Sequence, residues 1–230
     1  PLPDKRRQVN YVNTLSQTDW DIITAIIPEG AHVLDLGCGD CALLGELVTR
    51  KKVRGRGVDI DGSRLAGGMT LGLPVYQGDL DEGLADFADN AYDYVILNQT
   101  LQVVKNPQMV IREMMRIGRF GIVGFPNFGY WALRAGIFFG GRAPKSPALP
   151  FEWYDTPNIR VLTIRDFRAF CREENLRVLK GKIDISQQLN LNLCHHHRIA
   201  CQYDEFLADN LLNRIIKVTL TYLSRFARSI

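Results

Sequence analysis

Five short apolar runs constrain this chain more than any other feature: AHVLDLG (31–37), VRGRGVDI (53–60), LPVYQGD (73–79), YDYVILN (92–98) and GRFGIVGFP (118–126). AHVLDLG reads as a fully buried strand and YDYVILN as a strand with a near-continuous apolar run, and the other three read as strands beside them. CALLGELVTRK and PQMVIREMMRI carry apolar residues at helical spacing, the latter with Pro107 at its first turn, and SRLAGGMTLG reads as a helix softened by Gly67 and Gly68. Strand and helix signals in alternation predict an α/β fold, a doubly wound, mostly parallel sheet with helices on both faces.

The flanks extend this pattern. SQTDWDIITAII predicts a helix over 16–27, capped by Ser16 or Thr18 and ended by Pro28-Glu29-Gly30. Residues 127–159 are rich in Gly, Pro and aromatics and form a helical or loop insertion after the fifth strand. Its Trp131, Phe138, Phe139, Trp153 and Tyr154, rimmed by Arg134, Arg142 and Lys145, suit a lid over a small-molecule site or a surface for a partner subunit. A helix at TIRDFRAFCREEN, with Cys171 in the core, precedes a strand at LRVLKGKIDI and a further strand between Leu189 and Tyr203. Residues 1–203 are expected to form one domain, and 204–230 an amphipathic C-terminal helix or tail.

Composition narrows the function classes. With 46% hydrophobic and 23% charged residues in 230, the chain can bury one substantial core. Its 28 basic against 25 acidic residues are too evenly matched for a nucleic-acid footprint. No apolar stretch approaches the ~20 residues of a membrane span. The five cysteines are an odd set read as free thiols, and the chain as cytoplasmic. Cys194, three consecutive histidines (His195, His196, His197) and Cys201 do not make a metal site, because adjacent residues on a strand point to opposite faces.

In an open parallel sheet, ligands bind beyond the carboxyl ends of the strands, where the crossovers diverge to opposite faces. The loop LGCGDC after the first strand is the place to look. Gly37 and Gly39 permit close backbone approach, and the following helix offers free N–H groups. Asp59 ends the second strand, 22 residues after Gly37, where a carboxylate can accept from both hydroxyls of a ribose. Asp79 ends the third, placed for an adenine edge, although Asp59, Asp61 and Asp79 are also ordinary helix-capping residues. Asp35 lies inside the first strand, where it repels a pyrophosphate and attracts an ammonium and a sulfonium. That balance favours S-adenosylmethionine (SAM) over NAD.

The motifs LDLGCGD, GVDID, QGDLDEGLADFADNAYDYVILNQTLQ and GFPNFGYW with EWYDTPNI together resemble the methionine biosynthesis family MetW, whose fold is that of the class I methyltransferases. The likeness runs from about Gly30 to Ile185. It implies a Rossmann-like, seven-stranded sheet and a pocket for SAM or S-adenosylhomocysteine (SAH). Asp35, Gly37, Cys38, Gly39, Asp59, Ile60, Asp79, Leu80 and Asn98 are the expected contacts. It also implies a role beside a MetX-type homoserine O-acyltransferase, with no nucleic acid, membrane or metal partner. The alternative is a SAM-dependent methyltransferase acting on a small molecule. For that chemistry Asn98 is the residue at the methyl-acceptor side, although Asn98-Gln99-Thr100-Leu101-Gln102 lacks the paired prolines that many amino methyltransferases carry there. Cys41 stands where the family usually has glycine. If that position has positive φ, the cysteine costs about 1 kcal/mol or slightly more; if it has entered the helix, nearly nothing.

Overall fold

The computed structural model describes residues 20–143, 145, 149, 151–184, 189–195 and 198–200. A helical segment at residues 20–26 leads into β1 (His32–Leu36), α1 (Ala42–Lys51), β2 (Arg54–Asp59), α2 (Gly62–Thr70) and β3 (Val75–Gln77). A 3-10 turn at Leu80–Glu82 precedes β4 (Tyr92–Asn98), α3 (Pro107–Ile117) and β5 (Gly118–Pro126). Then come α4 (Trp131–Gly140), α5 (Ile164–Glu173), β6 (Val178–Asp184), β7 (Leu189–His195) and β8 (Arg198–Ala200).

The strands lie in the order β3-β2-β1-β4-β5-β7-β6-β8. The first five are parallel, β7 is antiparallel to β5, and β6 and β8 each run antiparallel to β7. The expected seven-strand count is therefore corrected: a five-stranded parallel body carries three further strands at its β5 edge. The sequence could not separate β8, a three-residue ladder, from its neighbours.

Alternation along the strands divides the core. On one face Val33 of β1, Ile96 of β4 and Ile122 of β5 pack with Leu44 and Leu47 of α1 and Leu65 of α2. On the other, Leu34, Leu97 and Phe125 meet Ile111 and Met114 of α3 and Phe167 of α5. Successive strand side chains point to opposite faces, so the central strands β1, β4 and β5 each serve both layers, whereas β2 is exposed at its start and β3 lies at the exposed edge. Cys171 is buried in the α5 layer.

Local chemistry sets the boundaries. Asn106 caps α3, accepting from the Met109 N–H at 3.3 Å, with Pro107 in the first turn where no partner for its nitrogen is needed. Thr163 and Asp166 form a capping box at α5. The insertion after β5 contains helix α4, and residues 151–163 after it form turns and irregular chain. Ser16, Thr18, His196, His197, Cys201 and the tail 204–230 lie outside the described residues. Among the described residues no helix is long and apolar enough to cross a membrane.

Candidate ligand cleft at the strand ends

The crossovers part between β1 and β4, and there the chain turns sharply. Immediately after β1, the N–H groups of Gly37 and Cys38 both donate to the Val58 carbonyl, at 2.8 and 3.0 Å, which folds the loop back over the end of β2. Gly37 has φ +74°, and a β-carbon there would sit 2.3 Å from Thr100 Oγ1, so this turn admits only glycine. The loop, the ends of β2 and β4 and the 3-10 turn enclose an open cleft of about 610 Å³, the size of a cofactor site.

Asp59 is the hinge of this arrangement. It is 5% exposed; its Oδ2 accepts from the Gly39 N–H at 2.7 Å and its Oδ1 from the Asp61 N–H at 2.9 Å. A carboxylate has about four lone-pair sites, so both oxygens retain capacity toward the cleft, which Asp59 lines. Asp79 caps the 3-10 turn by accepting from the Asp81 N–H at 2.9 Å and also lines the cleft. Asp81 in turn accepts from the Lys105 and Asn106 N–H groups, at 2.9 and 2.7 Å, and fixes the approach to α3. Asp61 caps α2 through Ser63 and is not in the wall.

At the end of β4, the Asn98 Oδ1 is buried without a hydrogen-bond partner although the residue lines the cleft. Buried acceptors are nearly always paired, so this atom points to something the cleft receives. Gln99, next to it, has φ +57°, and backbone strain of this kind gathers at ligand sites. Asp35 sits behind the wall, 3% exposed; burial, reinforced by the nearby Asp59 charge, pushes its carboxyl up to about 7. Near neutrality it is therefore only partly ionised, and the cleft-lining Asp40, Asp59, Asp79 and Asp81, facing the single basic residue Arg64, carry most of the negative potential.

The family model described as Methionine biosynthesis protein MetW matches residues 17–208. The chain belongs to the MetW family. A curated relative, the Bifunctional methionine biosynthesis protein MetXA/MetW of Rhodopirellula baltica, is 41% identical over 167 residues, covering 69% of this chain and 27% of the relative. The chain thus spans about a quarter of that relative's length. Among solved structures, magnesium protoporphyrin IX methyltransferase from Synechocystis PCC 6803 with bound SAH aligns with TM-score 0.56 at 16% identity, over 82% of this chain and 83% of that one. A TehB-like SAM-dependent methyltransferase from Corynebacterium glutamicum ATCC 13032 aligns with TM-score 0.54 at 14% identity, over 84% and 99%. At these identities the likeness shows the fold, and the fold is that of the class I methyltransferases.

Cys41, the departure from the MetW pattern, caps α1 with φ +62°, so the strained alternative applies and not the helical one. Its thiol does not reach the ligand position. It is fully buried beneath the loop, 3.3 Å from the Cys38 sulfur. Cys38-Gly39-Asp40-Cys41 has C-x-x-C spacing, and both of its cysteines are free thiols. Burial pushes both thiols up, and Asp35 adds to it. Room for the Cys41 sulfur comes from Gly68 of α2, where a β-carbon would lie 2.6 Å from it and 2.8 Å from Val75 Cγ1. Gly68→Ala is accordingly expected to destabilise the MetW chain by about 1 to 3 kcal/mol although alanine is the better helix former. Cys41→Gly, which trades strain against lost packing, is expected to stay within about 1 kcal/mol of the parent. In the double variant the two changes should couple favourably by roughly 1 kcal/mol in denaturant unfolding. Strict additivity would place the sulfur elsewhere.

Of the residues expected to bind, Gly37, Asp59, Ile60, Asp79, Leu80 and Asn98 line the cleft of this MetW chain, whereas Asp35, Cys38 and Gly39 are set behind it and shape the loop. Sequence reasoning missed Arg64, Gln99, Thr100 and Pro157, which also line it. Only Thr100 and Gln99 carried a signal, lying directly after the β4 terminus. Pro157 reaches the wall through the insertion, a long-range effect of the Ile159 and Arg160 N–H groups donating to the Gln102 carbonyl at 3.1 and 3.2 Å.

Proposed function

We propose that this MetW-family chain serves methionine biosynthesis as the partner of a MetX-type homoserine O-acyltransferase, with SAM or SAH held in the strand-end cleft. The observation that carries the partnership is the relative in which a MetXA unit and a MetW unit share one polypeptide. Fusion keeps two modules at high effective concentration, which is advantageous where the separate chains must meet.

The residues present fit an adenosyl ligand. Asp59 would hold the ribose hydroxyls, Asp79 and Leu80 would flank the adenine edge, and the half-exposed apolar Ile60 would lie against the base. Gly37, with Cys38 and Gly39 behind it, would bring the main chain against the amino-acid part, with Asp35 beneath it. When bound, SAM supplies a transferable methyl group on a sulfonium; in the partner reading, occupancy of the cleft would instead report the level of the pathway's downstream product to the acyltransferase.

A pull-down with the acyltransferase, together with its activity measured with and without this chain, tests the partnership. Complex formation and a changed activity are expected, and neither binding nor any change contradicts it. The unpartnered Asn98 Oδ1 favours a second reading, methyl transfer to a small molecule carrying a hydrogen-bond donor. That reading fails if SAM binds and a metabolite screen yields no methylated product.

A further inference from the structure

We propose that the aromatic surface of the insertion, on α4 and the irregular segment 151–163 after it, is the face on which the MetX-type acyltransferase docks; this rests on the partnership proposed above. Among the described residues, nine of the fourteen exposed large apolar side chains fall within residues 131–161. The other five are Ile60, Met69, Leu71, Tyr76 and Leu179, of which Met69 and Leu71 lie together at the end of α2, a number of exposed apolar side chains that is ordinary for a protein surface. Phe138 and Phe139, 81% and 84% exposed, form an edge-to-face pair at 4.9 Å, and Trp153 and Tyr154, 75% and 70% exposed, form another at 5.5 Å. Of the described side chains of α4, only Leu133 is buried. A helix that shows most of its apolar residues to water has given up its share of the hydrophobic effect, and this is the mark of an interaction site.

The composition is that of an interface centre, with Phe, Trp and Tyr beside the exposed Arg134 and Arg142. The surface is also held in place. Its irregular return segment is pinned by the Ile159 and Arg160 N–H groups donating to the Gln102 carbonyl, and at its start Asn127 Oδ1 accepts the Gly129 N–H at 2.9 Å. Such preorganisation lowers the ordering cost of binding. A lid over the strand-end cleft accounts for less of it, because among the described residues Pro157 alone of the insertion lines the cleft. The occupant is taken to be the acyltransferase because a relative joins a MetXA unit to a MetW unit in one bifunctional protein, and a second copy of this chain is an outcome of the test below.

The test uses the full chain and the separately purified acyltransferase. The variants are Phe138→Ser with Phe139→Ser, Trp153→Ala, and a control at the C-terminal end of α2, Met69→Ser with Leu71→Ser, whose residues are 63% and 58% exposed. Binding of the acyltransferase is measured by titration, together with self-association, Tm and SAH affinity. Both insertion variants are expected to weaken acyltransferase binding at least tenfold while Tm and SAH affinity stay unchanged, and the control to bind as the parent does. Parent binding with no loss in the insertion variants overturns the surface and leaves the partnership standing. No binding by the parent overturns both. Lost self-association with acyltransferase binding intact assigns the face to a second copy. A fall in Tm with binding intact shows that the chain itself covers the patch. Either result overturns the proposal.

Discussion

Asp59→Ala is expected to cripple ligand binding and loosen the loop in a single step. The carboxylate is the acceptor of two backbone N–H groups, from Gly39 in the glycine loop and from Asp61 at the start of α2. Removing it leaves both donors without that partner, each at about 1 to 3 kcal/mol where water cannot replace the acceptor. The first donor is buried and the second partly so, and a total of about 2 to 4 kcal/mol of stability is expected to go. Ligand affinity falls by a further factor, about 1 to 3 kcal/mol for hydroxyls left unpaired, or roughly 5- to 150-fold. Asp59→Asn restores one acceptor oxygen but presents an amide to the second donor, so it should fall between alanine and the parent on both measures. Denaturant unfolding and SAH calorimetry on the three proteins check this. Unaltered SAH affinity in Asp59→Ala would place the ribose elsewhere in the cleft.

The second large effect belongs to Asp35 and is read in the pH dependence of stability. Its carboxyl is pushed up to about 7 in the fold, by burial first and by the Asp59 charge second, against 3.8 as its ordinary value. A raised carboxyl pKa means that the folded state holds a proton which the unfolded chain has released. The stability associated with that proton is therefore fully present below about pH 4 and is lost as pH rises to about 7, beyond which it stays lost. Three units correspond to about 4 kcal/mol, large against the usual 5 to 15 kcal/mol of a domain. Asp35→Asn, which keeps the shape and cannot ionise, should flatten this slope between pH 4 and 7 and leave the variant more stable than the parent at pH 8. Denaturant unfolding at several pH values decides it, and an identical slope in parent and variant would remove Asp35 as its source. Because Asp59 is the second cause of the shift, Asp59→Ala should shrink the same slope.

These two residues also show what was legible beforehand. The centre of the parallel body, β1, β4 and β5, follows from apolar runs that leave no solvent-facing side, as Leu34, Ile96 and Val123 confirm by their full burial, whereas β2 and β3 at the edge are partly exposed. Asp59 and Asp79 could be marked because strand-end position and residue type are both local facts. The orientation of Asp35 was not local. Its alternation places it on a buried face with Val33, so its charge is reduced by the very core that the apolar runs predict, and the argument against a pyrophosphate passes to Asp40, Asp59, Asp79 and Asp81 on the wall. The backbone at Cys41 could not be read either. Whether a residue after a glycine loop is in the helix or just outside it is decided by one dihedral angle, and the sulfur's destination by Gly68, 27 positions later. Pro157 entered the cleft wall through hydrogen bonds to Gln102 that no pattern in residues 127–159 announces. Helix α4 was ambiguous for a related reason: its apolar residues do not form a stripe against the core, so periodicity could not separate helix from loop.

The central claim is that an acid-lined cleft at the β1/β4 divergence receives a cationic or neutral adenosyl compound. Calorimetric titration of the full chain with SAM, SAH and NAD, side by side at pH 7.5, tests it most directly. One-to-one binding of SAM and SAH with none of NAD is the predicted result. Heat from NAD equal to that from the adenosyl compounds, or no heat from any of the three, would contradict it.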